Sequence, residues 1–367
     1  MFTIYKKEVF GYFNSLIGYV AIALFLLITG LIVWVFPESS VVETGYASLD
    51  VFFNLAPYLL ICLIPALLMR SIAGEKADGT YDLLLSRPLR ISQIVLGKFF
   101  GGLTIVILAI LPTLIYVLSI YVLAFPSGNI DLGAMIGSYL GLILVGSSFV
   151  AIALFCSSLT NNPIVAFLLA VFVNFFIFYA IGATSKILSF GEFEDVINNF
   201  GAEQHYLAIS RGVLLGNDLF YFLSIIFVFL VFSIGHLDRF FIRRSRKFTG
   251  YAFMLIVVIA INQEYLSLSF MRVDFTEDKR FTLDKTSKDI VSVLDEDIYI
   301  TLFLNGALPS GFTRLKQAAI NMAYDLGSYA KCKIKINIID PTEGTEAEQK
   351  DFSTALINRG LYPTNLN

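Results

Sequence analysis

Charge is what this sequence has least of: Lys, Arg, Asp and Glu make up 15% of 367 residues, against 57% hydrophobic residues and 35 phenylalanines. So little polar surface cannot coat a water-soluble globule of this length, which leaves lipid as the solvent. Imidazole is scarce too. His205 and His236 stand near span boundaries and far apart in the chain, which argues against a catalytic or metal-binding pair. Cys62 and Cys156 lie in apolar runs and Cys332 is solitary, so no spacing suggests a metal site or a disulfide framework. A phosphate loop is missing as well. Gly97 and Lys98 form a Gly-Lys pair, but Phe99 stands where Ser or Thr should follow and Ser92 where the first Gly should be, which excludes ATP binding by that route. The net charge of −3 sums an apolar part, Met1 to Ser269, and a part of ordinary soluble composition, Met271 to Asn367. It gives no argument for nucleic acid.

What is present is a series of long apolar runs. A helix needs roughly 20 apolar residues to cross the hydrocarbon core, and six runs qualify: Ser15 to Phe36, Val51 to Met69, Phe99 to Leu123, Ala134 to Cys156, Pro163 to Ile181 and Leu219 to Gly235. A seventh, Tyr251 to about Ser269, is weaker, because its uninterrupted run ends at Ile261 and Asn262, Gln263 and Glu264 follow. None of the six holds an ionisable side chain at mid-span, where a proton pump or membrane enzyme usually carries one. Asn174 is the most polar group buried in them, and such an Asn is more often helix-to-helix glue than a substrate contact.

Positive charge near span ends stays on the cytoplasmic side. Lys6 and Lys7 precede the first span, five basic residues lie between Arg70 and Lys98, and five more between His236 and Gly250. The alternate segments hold only Lys186 and Arg211, so 12 of the 14 basic residues before Ser269 fall on one side. The expected arrangement has the N-terminus inside, Val41 and Glu194 outside, and a seventh span that carries the C-terminal part outside. The length of the first span, and the spans that follow it, argue against a cleaved secretory signal. Ahead of that span, Phe2, Tyr5, Val9 and Phe13 recur at helical spacing with Lys6 and Lys7 on another face. The pattern predicts an amphipathic helix over residues 1–14 lying in the interface.

The most informative stretch is the cytoplasmic segment from Ser71 to Phe99. Glu75 to Asp78 is charged, Gly79 breaks the helix, Tyr81 to Leu85 is a short apolar patch, and Pro88 ends that patch before a second helix. Leu83, Leu84 and Leu85 need something to pack on. A docking surface for another protein and a hairpin folded onto its own spans both satisfy that need.

Glu75, Gly79, Thr80, Leu83, Leu84 and Pro88, followed by Leu96 to Phe99, resemble the coupling region of ABC-2 type transporter permeases. Lys7, Glu8, Tyr12, Phe13, Ser15 and Tyr19 are similar to that family's N-terminal elbow helix and first span. His205, Arg211, Gly212, Asp218 and Tyr221 resemble its outer loop. The stretch Val273 to Leu315 resembles the start of the extracytoplasmic auxiliary subunit that accompanies the gliding-motility transporters of Bacteroidetes. The resemblance implies a non-catalytic permease subunit in the bacterial inner membrane. It pairs with a second copy, and separate ABC ATPase chains bind the ATP; the permease itself needs no cofactor or metal. The coupling residues it implies are Glu75, Gly79, Thr80, Leu83, Leu84 and Pro88. Membrane lipids surround it, and a cell-envelope partner for the outer part is a further expectation. A membrane scaffold whose outer part binds an envelope partner without transport is the alternative.

The fold expected is an α-helical polytopic membrane protein with a C-terminal α/β segment. Residues 1–14 form the interfacial helix and 15–238 a six-span domain with its coupling loop at 70–98. A basic linker at 239–250, a seventh span at 251–269 and an extracytoplasmic segment at 270–367 follow. In that segment Ile298 to Leu304 and Lys333 to Ile339 alternate as strands, and Phe312 to Tyr329 and Thr345 to Asn358 read as helices. Two strands are thin for a closed α/β domain, so a truncated chain or a fusion lacking its remainder is expected.

Overall fold

The computed structural model describes residues 1–37, 39–183, 201–237, 250, 272–275, 279, 282–304, 310–327, 329–332, 334–340 and 346–361. The expected seventh span, Glu194, Lys186 and all of the basic linker but Gly250 lie outside them. The chain divides into two compact units, Met1–Glu277 and Asp278–Asn367.

In the first unit every one of the six apolar runs is helical. Helix α1, Phe2–Phe13, and the first spanning helix α2, Leu16–Trp34, meet at an elbow bent by 66°. A short turn of helix, α3 (Val41–Thr44), precedes α4 (Asp50–Leu68). Two small helices, α5 (Ala73–Ala77) and α6 (Thr80–Leu85), form the loop before α7 (Ile91–Ile110). A 3-10 turn at Leu111–Thr113 continues α7 into α8, Leu114–Leu123. Next come α9 (Leu132–Leu159) and α10 (Pro163–Phe175), which runs on as a π-helical turn at Phe176–Ala180. A short helix, α11 (Ala202–Ser210), leads through strand β1 (Val213–Leu215) into the last described spanning helix, α12, Gly216–Leu237.

Polar residues fix where these helices start. Asp131 accepts a hydrogen bond from Ala134 N–H at 3.0 Å to cap α9, and Asn162 accepts from Ile164 N–H at 2.9 Å, with Pro163 at the first helical position of α10. Within the bundle α9 is the hub, touching α4, α7, α10, α11 and α12. Glycine lets these helices close up: a Cβ on Gly146 would meet Val106 Cγ1 at 2.8 Å, and one on Gly102 would sit 3.0 Å from Leu68 and 3.1 Å from Val150. In lipid, where apolar surface gains little by leaving its solvent, such close approach is what holds helices together. Lipid-facing side chains such as Leu24, Leu118, Leu168 and Phe172 stay exposed on the bundle's outside.

Hydropathy starts the third span at Phe99, but the helix begins eight residues earlier at Ile91. Its first two turns are amphipathic, so a mean-hydropathy reading misses them, and Lys98 ends up inside the helix. Helix α1 is present as expected, although its packed face differs. Ile4 is its buried residue and lies against Gly97 of α7, whereas Phe2, Phe10 and Phe13 face outward.

Strand β2, Arg272–Asp274, pairs antiparallel with β1. The second unit opens with α13, Lys285–Ser292, capped by Asp284, which accepts from Ser287 N–H at 3.1 Å. Hydrogen bonding from the Ser287 side chain, and then from its N–H, holds the exposed Asp284 carboxyl below its ordinary value. Strands β3 (Ile298–Leu302) and β4 (Ile334–Ile338) run parallel, in register from Ile298↔Ile334 to Leu302↔Ile338. Helix α14, Ser310–Gly327, makes the crossover between them, and α15, Glu346–Asn358, follows.

Candidate functional site

The site lies at the end of the bundle where α4, α7 and α9 meet the loop of α5 and α6. Gly79 divides the two helices of this loop with φ of 70°, a left-handed conformation natural to glycine. Thr80 Oγ1 donates to Glu75 O at 3.3 Å across the turn. Tyr81 is buried and Leu85 packs on the core, Leu84 is half-buried, and Leu83 is 69% exposed. Thus α6 folds onto its own bundle through one face and presents Thr80, Asp82 and Leu83 on the other. The two readings of the Leu83 to Leu85 patch each hold for part of it. Pro88 is exposed in the bend between α6 and α7.

Helix α5 is fastened at both ends. Its first N–H groups have no partner within so short a helix, and Ser157 Oγ of α9 accepts from Ile72 N–H at 3.1 Å and Ala73 N–H at 2.9 Å. The same hydroxyl donates to Met69 O at 3.2 Å. Further along, Lys76 donates to the carbonyl of Ser158 near the end of α9.

Glu75 joins this loop to α1 and α7. The Lys98 ammonium, fully buried, hydrogen-bonds Glu8 Oε1 at 2.7 Å and Ser71 O at 2.7 Å. It also lies 3.0 Å from Glu75 Oε2, a contact of ion-pair distance that lacks hydrogen-bond geometry. The other carboxylate oxygen of Glu75 accepts from Lys7 at 2.6 Å. Two ammonium and two carboxylate groups therefore balance to zero. Burial of Lys98 is tolerable only because its partners are in place.

Of the residues expected from sequence, Glu75, Gly79, Thr80, Leu83, Leu84 and Pro88 all stand in this one loop. Lys7, Glu8, Lys98 and Ser157 are the residues that complete it. A signal for Lys98 existed: an ionisable group at the head of an apolar helix needs a partner, and Glu8 stood free in α1 to supply one.

At the opposite end, about 28 Å away if measured along α9 from Ser138 to Ser157, α11 is tied to three helices. Ser138 Oγ of α9 donates to Ser210 O at 2.6 Å. His205 Nδ1 lies 2.7 Å from Asp218 Oδ1 of α12, with the imidazole stacked on Tyr221. Tyr58 of α4 donates to Glu203 at 2.8 Å. Tyr206 donates to Phe53 O of α4 at 2.6 Å, and a proline explains why that carbonyl is free: Pro57, four residues on, has no N–H to give it. Asn174 of α10 departs from its expected role. It is fully buried, and neither amide atom has a hydrogen-bond partner among the described residues. Packing holds α10 against α9 without the amide. Among the described residues no cluster of three or more His, Cys, Asp or Glu stands ready for a metal.

These features define a polytopic helical membrane protein with five spanning helices among the described residues, or six when the bent α1–α2 pair is included. They also define a loop between the second and third spans that is anchored on three sides. The family model for ABC-2 family transporter proteins matches residues 3–208, more than half of the chain. The chain belongs to that family and is a multi-pass transmembrane permease. Residues 277–367 match a domain of unknown function (DUF7088). An uncharacterized protein of Borreliella burgdorferi is 33% identical over 75 residues, which make up 20% of this chain and 15% of that protein. The match thus spans well under two thirds of the relative's length.

Proposed function

We propose that this permease works with separate ABC ATPase subunits that dock on the loop at 70–98, and that ATP bound by them drives rearrangement of the spans. A second copy of the chain completes the assembly. Its place is the bacterial inner membrane, with the N-terminus in the cytoplasm and residues 270–367 outside as an auxiliary segment able to meet a cell-envelope partner. Its role, following the resemblance, is gliding motility, either by exporting a substrate or by transmitting force. Glu75, Gly79, Thr80, Leu83, Leu84 and Pro88 are the coupling residues, with Thr80, Leu83 and Pro88 exposed toward the partner and Glu75 tied behind them to Lys7 and Lys98.

The observation that carries this reading is the exposed face of α6 on a loop whose other faces are fastened to α1, α7 and α9. A push on Leu83 is passed to three helices through Glu75, Ser157 and Lys98, since an ion-pair and hydrogen-bond network with no slack moves as a body. The difference in energy between the two states has to come from ATP on the partner. The positive-charge asymmetry supports the orientation.

Co-purification from detergent-solubilised membranes tests the proposal. An ATPase chain should co-elute with the wild type, and Leu83→Asp with Leu84→Asp should abolish the association while the protein still inserts. A charge forced into a dry contact costs several kcal/mol. Wild-type recruitment by the double variant would remove the loop as the dock.

A further inference from the structure

Strand β1 sits between α11 and α12, and its partner β2 comes from far along the chain. Val213 faces Asp274, Leu214 faces Val273 and Leu215 faces Arg272, and the ladder gains one more bond from Phe275 N–H to Gly212 O at 2.9 Å. Between the two strands the chain leaves along α12, whose 22 residues reach about 33 Å. At Arg272 it is back beside the end it left. The second compact unit starts at Asp278, immediately beyond this pairing.

Three residues of antiparallel pairing are marginal alone, so β1 must be held by something else. It is. Gly212 lies so near α9 that a Cβ on Gly137 would come 2.7 Å from Gly212 Cα and 2.8 Å from Ile209 O. Its φ of 87° suits the tight reversal from α11 into β1. Through Ser210, His205, Glu203 and Tyr206 the same short segment is bonded to α9, α12 and α4. Strand β2 is therefore fastened to the part of the bundle in which three spanning helices are joined.

We propose that this β clasp makes the chain entering the second unit a follower of α11. When the spans rearrange and α11 shifts, β2 shifts with it, and motion of the permease is delivered to residues 278–367 through the backbone. The second unit is then worked mechanically and is not a passive appendage. This rests on the reading of the chain as a permease whose spans move, whereas the clasp itself can be tested without any ATPase.

The bonded pair at Gly212 and Phe275 makes Val213 and Asp274 a non-hydrogen-bonded pair by the alternation of an antiparallel ladder, with Cα atoms about 4.5 Å apart, within disulfide reach. Val213→Cys with Asp274→Cys, in a Cys332→Ser background, should cross-link under mild oxidation in native membranes. Mass spectrometry of the joined peptides reads the bond. In the second arm, Tyr206→Phe unties α11 from Phe53, and amide hydrogen exchange at Leu214 and Val273 should accelerate on the order of fivefold. Absence of the cross-link overturns the clasp. Unchanged exchange at Val273, while α11 itself exchanges faster, overturns the coupling. A third arm uses the preparation with its ATPase: the oxidised pair should turn over ATP within about twofold of its reduced form, because strand and helix travel together. A tenfold loss restored by reductant would mean the clasp must open in each cycle, and would also overturn the proposal. If no ATPase co-purifies, that result counts against the permease reading, and the first two arms still decide the clasp.

Discussion

Replacing Lys98 by Met keeps the length of the side chain and removes its charge, which leaves Glu8 without its ammonium partner. Glu75 fares better, since Lys7 still holds its other oxygen at 2.6 Å. Only one carboxylate is then orphaned, at 11% exposure, and breaking a buried pair in this way costs about 3–5 kcal/mol, here toward the lower end. Adding Glu8→Gln removes the orphaned charge. Buried ion pairs replaced whole are close to neutral, so the double variant should return to within roughly 1 kcal/mol of wild type, a rescue of ~2 kcal/mol relative to Lys98→Met alone. Lys7→Met, by contrast, removes a half-exposed partner and should cost under about 1 kcal/mol. Thermal unfolding of the four proteins in one detergent reads the loss, its rescue and the Lys7 control. A Lys98→Met protein as stable as wild type, or one that Glu8→Gln fails to rescue, would refute the claim that this network joins α1, α5 and α7.

Ser157→Ala should cost about 1 kcal/mol by uncapping α5, and it should weaken ATPase-coupled activity more than it weakens ATPase binding, because Leu83 is untouched. Gly79→Val has open space for its side chain, so its entire penalty is backbone strain of roughly 1–2 kcal/mol. Coupling should fall, and Gly79→Asn, which tolerates the left-handed conformation better, should retain most of it. Cys332 is partly exposed in the second unit, and an impermeant thiol reagent should modify it in intact spheroplasts. Labelling that requires lysis would reverse the proposed orientation.

Much of this architecture could be read from hydropathy, because in lipid the rule is blunt: a long apolar run has to be a helix. Ala134 to Cys156 falls inside a single observed helix, and Val51 to Met69 overruns one only by its C-cap, Met69. Four of the five described elements of the second unit were readable from alternation and helical period, whereas α13, short and polar, carries no apolar stripe long enough to notice. Gly79 could be placed as a helix break because few other residues take its conformation. Ser157 and Tyr206 could not be placed, and Lys98 signalled the need of a partner without naming it, since each is defined by a residue far along the chain. A carbonyl freed at Phe53 or an N–H left over at Ala73 is invisible until the neighbouring helix is in position. Strands β1 and β2 escaped for the same reason: each is three residues long, and only their pairing makes them strands.

The bond between Tyr206 and Phe53 carries a consequence for descent. Its hydroxyl answers a vacancy made by Pro57 on a different helix, so neither residue has an independent history. A lineage that restored an N–H at position 57 would close the helical bond to Phe53, and the hydroxyl at 206 would lose its employment and could drift to Phe. A lineage that lost the hydroxyl first would carry an orphaned carbonyl until the proline followed. Among relatives the two positions should therefore change as a pair, and a chain with Pro at 57 and Phe at 206 should be rare.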